Sequence, residues 1–194
     1  MNENLTVLIS VDIGLNGGVA FFDVQSRGVL SLYSMPTFQT VTSSGRKKGN
    51  LDLERLKFIL EIPKEHHEHA CVVMENVHAF PGQGVVAIAT LLEQKGIIRG
   101  MAKGLGYNEK LIEPKTWQRF FHLIPPKNLG EDKARKTKAT LRKKWLKEMS
   151  LQYARECYPE WSDTKLADKS SHGLSDALLL GRYFLTSRSY LQVE

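Results

Sequence analysis

The alternation of apolar and polar positions predicts that the chain begins with three consecutive strands. The segments 6–13, 17–24 and 28–35 are rich in β-branched and aromatic residues, and short turns such as QSRG separate them. The segment ACVVMENV at 70–77 has the same buried character, and KLIEP at 110–114 predicts a short further strand. Five strands are therefore expected.

Apolar residues at helical spacing predict five helices in the rest of the chain. Asn50 is expected to cap the first helix, and Pro114 to precede the third. The polar stretch 37–50 is expected to be mobile, and the charged stretch 124–137, with its two prolines, predicts no regular element. The five helices cover about 51–61, 85–103, 115–123, 138–157 and 172–185.

This order of elements predicts an α/β fold with an antiparallel hairpin at its start. With 194 residues, 42% of them hydrophobic, one domain over 1–194 is expected. Cys71 and Cys157 lack CxxC spacing and lie in apolar surroundings, which favours reduced core cysteines over a disulfide or a zinc site. No secretion signal and no apolar run long enough to span a membrane is present, so the sequence predicts a soluble, cytoplasmic protein.

Positive charge is concentrated in one segment of the chain. Residues 127–147 hold nine Lys or Arg and two acids, Glu131 and Asp132, so the net charge of this segment is nine minus two, or +7. The net charge of the whole chain is +6. A segment of this kind favours contact with a nucleic acid, and the alternative is a solvated helical face.

Single acidic residues interrupt two of the buried-type strands, Asp12 in VLISVDIGLNGGVAFFD and Glu75 in ACVVMENV. His172 and Asp176 lie four residues apart in SSHGLSDALLLGRYF and so share one face of the last helix. Each residue alone has an ordinary explanation: Asp12 as a turn cap, Glu75 in a buried pair, Asp176 facing solvent, His172 packed or capping.

Taken together, these groups favour a metal site. Several buried carboxylates repel one another unless cations neutralise them. Mg²⁺ prefers oxygen ligands, and the one imidazole makes Mn²⁺ a plausible substitute. Two such ions activate a water and stabilise the leaving oxygen of a phosphodiester.

The chain resembles the RuvC-like Holliday junction resolvases in four segments that occur in the family's order. The similarity is strongest to the phage and organelle-type branch, where a P-G-Q-G loop follows the strand-borne glutamate, and it covers about 6–24, 70–121 and 147–185. The four segments are SVDIGLNGGVAFFD, VVMENVHAFPGQGV, IEPKTWQRFF and SHGLSDALLLGRYF.

The resemblance implies an RNase H-like fold with a mixed five-stranded sheet, its first three strands antiparallel and helices on its sides. It also implies a homodimer that cuts two strands of a four-way DNA junction with divalent metal, two ions per site. The implied metal-binding and catalytic set is Asp12, Glu75, His172 and Asp176, where His172 replaces the acid of many relatives. Lys147, in KEMSLQYARECYP, matches a lysine near the scissile phosphate.

Further residues are expected to contact DNA. Phe80 and Gln83 lie in the P-G-Q-G loop, where an aromatic ring either stacks on unpaired bases or packs under the loop. Lys115 and Arg119 flank Gln118, at which the family often has a second lysine. The basic stretch 122–146 looks longer than in relatives, and its expected DNA contacts are Lys133, Arg135, Lys136 and Lys138.

Three other functions remain open from the sequence. A sugar-kinase or actin-type ATPase also opens with Asp-x-Gly beside a Gly-rich hairpin, but it needs a second such repeat and a longer chain, so no nucleotide cofactor is expected. An RNase H-fold nuclease acting on RNA or an RNA–DNA hybrid would share the metal chemistry. A module that binds branched DNA without cutting it would gain nothing from carboxylates that face phosphates.

Overall fold

The computed structural model describes residues 5–63, 69–79 and 84–190; for Lys136 and residues 188–190 it describes the backbone alone. The strands are β1 (Val7–Asp12), β2 (Gly18–Asp23), β3 (Val29–Ser34), β4 (Thr37–Val41), β5 (Lys47–Leu51), β6 (Ala70–Glu75) and β7 (Asn108–Ile112). The helices are α1 (Leu53–Leu60), α2 (Val85–Gly104), α3 (Pro114–Phe120), α4 (Arg135–Cys157) and α5 (His172–Tyr190), with a 3₁₀ turn at Pro159–Trp161.

Five of the strands form one mixed sheet in the order β3-β2-β1-β6-β7. β1 pairs antiparallel with β2, and β2 with β3, whereas β6 runs parallel to both β1 and β7. The apolar strands β1 and β6 lie in the interior of the sheet, where both of their faces are covered. The expected α/β arrangement, a mixed five-stranded sheet with three antiparallel first strands and helices on its sides, is confirmed.

Side chains alternate between two core layers on opposite faces of the sheet. Leu8 of β1 and Val73 of β6 belong to a layer that α3, α4 and α5 cover, in which Trp117 and Leu178 are buried. The other layer packs against α1 and α2. Both cysteines are free thiols, as expected. None of the helices in the described part of the chain combines the length and apolar character needed to cross a bilayer.

Glycines bring the start of α5 into direct contact with the turn between β1 and β2. A Cβ atom on Gly173 would lie 2.0 Å from the carbonyl oxygen of Asn16, and one on Gly18 would lie 2.9 Å from that of Gly173. No other residue fits at either position unless the backbone moves. The first turn of α5 is therefore held against the end of β1.

The structure has two strands in the stretch 37–50, for which the sequence predicted no regular element. β4 and β5 pair there as an antiparallel ribbon that forms its own two-stranded sheet. The composition is polar because the ribbon lies outside the core: every residue of β4 is exposed. The apolar residues of β4, Phe38 and Val41, are three residues apart and so do not alternate as they would in a strand with one buried face.

Two helix starts also differ from expectation. Asp52, not Asn50, caps α1: its Oδ1 accepts a 3.0 Å hydrogen bond from the Arg55 backbone N–H. Asn50 lies in β5, and its side-chain amide donates to the Thr40 hydroxyl. α4 begins at Arg135, three residues earlier than expected, so most of the basic segment is one helix.

Candidate active site on the sheet edge

Asp12 and Glu75 lie side by side at the carboxyl ends of neighbouring parallel strands. Val11 pairs with Met74 across β1 and β6, so the next residue of each strand is the acid. Asp12 lies four residues after Leu8, and Glu75 two residues after Val73, so each acid points to the same face of the sheet as that apolar residue. This is the face that α5 covers. Both side chains are partly exposed at this edge of the sheet.

Helix α5 adds the third carboxylate. Asp176 lies one turn after His172, and the residues that follow it, Ala177–Leu180, are buried in the core. Because α5 packs on β1 and β2 and abuts the turn after Asp12, Asp176 reaches the edge where the two strand acids lie.

The electrostatics of the three acids show that they form one cluster, which we call the carboxylate cluster. Burial raises the pKa of Asp12 well above its usual range, and the charges of Asp176 and Glu75 raise it further, against the pull of Lys147. Burial also raises the pKa of Glu75 to about 7 and that of Asp176 to about 6. Such a cluster is costly as three anions without a cation beside it.

Lys147 and His172 stand beside the cluster and contact each other. The Lys147 Nζ lies 3.0 Å from the His172 Nε2, so the ammonium donates to the imidazole. Burial, and next the charge of Lys147, lower the pKa of His172. The imidazole is therefore held neutral, which is the form that binds metal ions.

Two residues not singled out from the sequence orient the acids. The Trp117 indole Nε1–H donates to the Glu75 Oε1 at 2.9 Å, and the Ser150 hydroxyl donates to the Asp176 Oδ1. Both bonds favour the charged carboxylates and oppose the effect of burial. Ser150 lies three residues after Lys147, on the same face of α4, and that spacing was the available signal.

The donor set fits a hard divalent cation by its chemistry. Three carboxylates and a neutral imidazole lie in one region, at the carboxyl ends of β1 and β6 and the start of α5, and the bonds just described use one oxygen of Glu75 and one of Asp176. The side chains do not stand at ligand spacing: within the described residues, no group of three or more His, Cys, Asp or Glu is arranged to hold a metal ion. The expectation of two ions per site stays a prediction.

Two open clefts meet at His172. The larger, about 720 Å³, runs along α4. The smaller, about 370 Å³, lies between the β1–β2 turn, the start of β4 and the start of α5. The ionisable residues that line the larger cleft are Lys143, Lys144, Lys147, Glu148, Arg155, Lys169 and His172.

The residues expected to contact DNA are only in part near the carboxylate cluster. Lys115 and Arg119 are exposed on α3, the helix that also carries Trp117. Phe80 and Gln83 lie outside the described residues, and the side chain of Lys136 is not described. Lys133 and Arg135 are exposed and Lys138 is half-buried around the start of α4, where Lys133 pairs with Asp132 at 2.6 Å.

Comparison with known proteins gives matches among solved structures alone. No protein-family model matches the sequence, and no curated protein matches it. RuvC of Thermus thermophilus in complex with Holliday junction substrate is similar with a TM-score of 0.47 and 10% identity, over 94% of this chain and 96% of that chain. A second Thermus thermophilus RuvC structure gives a TM-score of 0.46 and 14% identity over the same shares.

A viral protein gives a similar result. The Fowlpox virus resolvase in complex with Holliday junction DNA has a TM-score of 0.43 and 11% identity, over 94% of this chain and 98% of that chain. Similarities at this level leave the function of the chain to be argued from its own residues.

Proposed function

We propose that the protein is a divalent-metal-dependent endonuclease that cuts four-way DNA junctions. The observation that supports nuclease activity is the carboxylate cluster at an accessible edge of the sheet. Burial raises the pKa of Asp12, Glu75 and Asp176 there, and the charge of Asp176 raises the pKa of the other two further. Buried acids of this kind are typical of catalytic or metal-binding sites. The junction as substrate rests on the four sequence motifs.

The metal ions of the proposed enzyme, Mg²⁺ or Mn²⁺, would be held by Asp12, Glu75, His172 and Asp176. Bound divalent ions would supply activation of the attacking water and stabilisation of the leaving oxygen. Burial raises the pKa of Asp12, and the charges of Asp176 and Glu75 raise it further; its strand β1 pairs with β6 and contacts α5, the two elements that carry those acids. It is the residue proposed to be shared between two ions.

The chain's own residues would hold the site ready for a phosphate. Trp117 and Ser150 fix the rotamers of Glu75 and Asp176 through their hydrogen bonds. Lys147 is exposed and its ammonium lies next to the acids, so it can neutralise a phosphate oxygen there. Without metal, the His172 Nε2 accepts the Lys147 hydrogen bond; as a metal ligand His172 would give up that bond, which would leave the ammonium for a phosphate oxygen.

The cleft along α4 supports DNA as the ligand. It carries five cations, of which Lys143, Lys144 and Lys169 have no role in the cluster, against the single acid Glu148. The Arg155 guanidinium also donates to the carbonyl oxygens of Leu166 and Ala167, so it holds the chain before α5 in place. A concave surface of this charge suits a phosphate backbone that leads to the cluster.

A homodimer is proposed as the working form. From Leu91 onwards α2 packs on the core, with Gln94, Ile98 and Ala102 buried. Its first residues do not: Val85 and Val86 are 79% and 81% exposed. An apolar helical surface of this kind favours burial against a second copy.

A cleavage assay tests the proposed function. A labelled four-way junction, a linear duplex and an RNA–DNA hybrid are incubated with the protein, with Mg²⁺ and with EDTA. We expect metal-dependent, paired cuts in the junction and little cutting of the linear duplex. Preferential cutting of the hybrid would make an RNase H-type nuclease the better assignment, and binding of the junction without any cut would leave a binding module.

A further inference from the structure

The ribbon β4–β5 (residues 37–51) contributes no residue to the carboxylate cluster and lies largely outside the core. It pairs with no strand of the main sheet. Phe38 and Val41 are 49% and 69% exposed on it. A two-stranded ribbon without a core of its own is marginally stable in water, and a contact made outside the monomer would stabilise it.

The tip of the ribbon is well ordered by local hydrogen bonds. Thr42 and Arg46 close it, with the Thr42 N–H donating to the Arg46 carbonyl oxygen at 2.9 Å and the Arg46 N–H donating to the Thr42 hydroxyl at 3.1 Å. Gly45 has a φ of 77°, which the turn requires and which favours glycine. The cations that follow are thus presented from a fixed backbone.

The charge of this arm is of one sign. Arg46, Lys47 and Lys48 are all exposed, and residues 24–51 contain no Asp or Glu. In the described part of the chain none of these three cations takes part in an ion pair. Three adjacent cations without an acid attract a polyanion.

The ribbon begins at the carboxylate cluster and extends away from it. Thr37, the first residue of the arm, lines the smaller cleft together with His172. Gly49 of β5 packs closely on Leu15 in the turn after Asp12. Five-residue strands extend about 17 Å, so the cations lie too far along the arm to act on the phosphate at the cluster.

We propose that the ribbon β4–β5 binds the phosphate backbone of the DNA arm that emerges from the site beside His172. Arg46, Lys47 and Lys48 contact successive phosphates, without reading the base sequence. This inference rests on the proposed function for the identity of the ligand. The ribbon affects how tightly the junction binds and leaves the cleavage step of bound DNA unchanged.

The test compares two charge-matched triple variants. R46Q/K47Q/K48Q removes the cations of the ribbon, and K57Q/K103Q/K110Q removes three exposed cations elsewhere in the molecule. Binding to a labelled four-way junction is measured in EDTA over a salt series, so the result does not depend on cleavage. Thermal unfolding confirms that both variants fold, and single-turnover cleavage at saturating protein is measured separately with Mg²⁺.

We expect the ribbon variant to lose about 0.9 from the slope of log K against log salt for each phosphate contact, about 2.7 for three. The control should keep the wild-type slope, and both should cleave bound junction at the wild-type rate. Equal slopes for the two variants would overturn the proposal, as would a change in oligomeric state with an unchanged slope. Absence of cleavage by every form, with the slope difference present, would refute the proposed activity and leave the ribbon as a DNA contact.

Discussion

At the scale of single residues, Glu75 couples stability to pH. Burial raises its pKa from 4.5 to about 7 in the folded protein. Because the folded state then binds the proton more tightly than the unfolded chain, metal-free stability falls as the pH rises from about 4.5 to about 7. We expect the free energy of unfolding of Glu75→Gln, measured in urea, to exceed that of wild type at pH 8 by up to about 3 kcal/mol. At pH 4 we expect no gain.

A matched control separates this effect from a general loss of negative charge. Glu93 is exposed on α2, and Glu93→Gln removes the same charge. Urea unfolding in EDTA at pH 4, 6 and 8 should show no pH-dependent gain for that variant. Parallel pH curves for wild type and Glu75→Gln would mean that Glu75 is not held in a costly position.

Trp117 is expected to set the pH at which Glu75 ionises. Its indole N–H donates to the carboxylate and lowers the pKa. In Trp117→Phe that bond is absent, so the acid limb of the cleavage profile should move up by about one pH unit. Cleavage rates at limiting Mg²⁺ from pH 6 to 9 measure the shift.

Trp161 provides the control for Trp117. It packs against the same core layer, and its indole N–H has no hydrogen-bond partner among the described residues. Trp161→Phe therefore removes a similar volume without removing a bond to an acid. If it shifts the profile as much as Trp117→Phe does, the effect comes from packing and the role given to Trp117 is wrong.

Asp12→Asn should separate cleavage from binding. The substitution removes the proposed metal ligand whose pKa the charges of both other acids raise. Cleavage should therefore fall about 100-fold or more. Binding of the junction should be unchanged or tighter, because one charge that repels phosphate is gone. Divalent metal should raise the melting temperature of wild type and not of this variant.

The comparison for Asp12→Asn is Asp163→Asn, an exposed acid outside the site. It should cut and bind as wild type does. Cleavage by Asp12→Asn at the wild-type rate would contradict the assignment of the site.

How far the sequence predicts the site depends on whether a residue's environment is local. Asp12 and Glu75 stand out because each interrupts an apolar strand, and Asp176 because it shares a helical face with His172. Trp117 and Ser150 do not, since their partners Glu75 and Asp176 lie 42 and 26 residues away. A bond across that distance exists only once the sheet and helices have assembled.

At the scale of elements, the strands of the main sheet were predictable because burial leaves a strong apolar pattern. β1 and β6 are continuous apolar runs, which is what strands covered on both faces require. The ribbon β4–β5 was missed because exposed strands carry no such pattern. The true start of α4 at Arg135 was missed for a similar reason, because no side chain caps it.

The basic residues around the start of α4 are expected to add affinity for DNA. Neutralising Lys133, Arg135, Lys136 and Lys138 to Gln together should weaken junction binding with little dependence on sequence. The salt slope should fall by about 0.9 for each phosphate that the variant no longer neutralises, as measured by binding across a salt series. An unchanged slope would identify this surface as a solvated helical face.

At the scale of the whole molecule, the two sides of the sheet differ in what they contribute to the candidate site. The layer with α3, α4 and α5 supplies Trp117, Ser150, Lys147 and the last acid to the carboxylate cluster. The layer with α1 and α2 supplies none of the residues assigned to the site. Its exposed surface on the first half of α2 is thus free to pair with a second copy.

The proposed dimer follows from what a four-way junction would require of the enzyme. The junction has approximate two-fold symmetry, whereas one chain has one carboxylate cluster and makes one cut, so symmetric cutting needs a two-fold dimer. Val86, 81% exposed, can become Asp without disturbing the monomer, and in a dimer the buried charge should weaken association about tenfold or more. Light scattering over a concentration series measures association, and the ratio of paired to single cuts measures its effect on cleavage.

Leu30 offers the control for the dimer. It is 58% exposed on β3, at the edge of the sheet opposite β7, so Leu30→Asp introduces the same charge far from α2. We expect Leu30→Asp to remain dimeric with paired cuts, and Val86→Asp to be monomeric at low concentration with mostly single nicks. A wild-type protein that stays monomeric at tens of micromolar and makes only single nicks would instead favour a general RNase H-type nuclease, because the carboxylate cluster would then act once per encounter and symmetry would have no role.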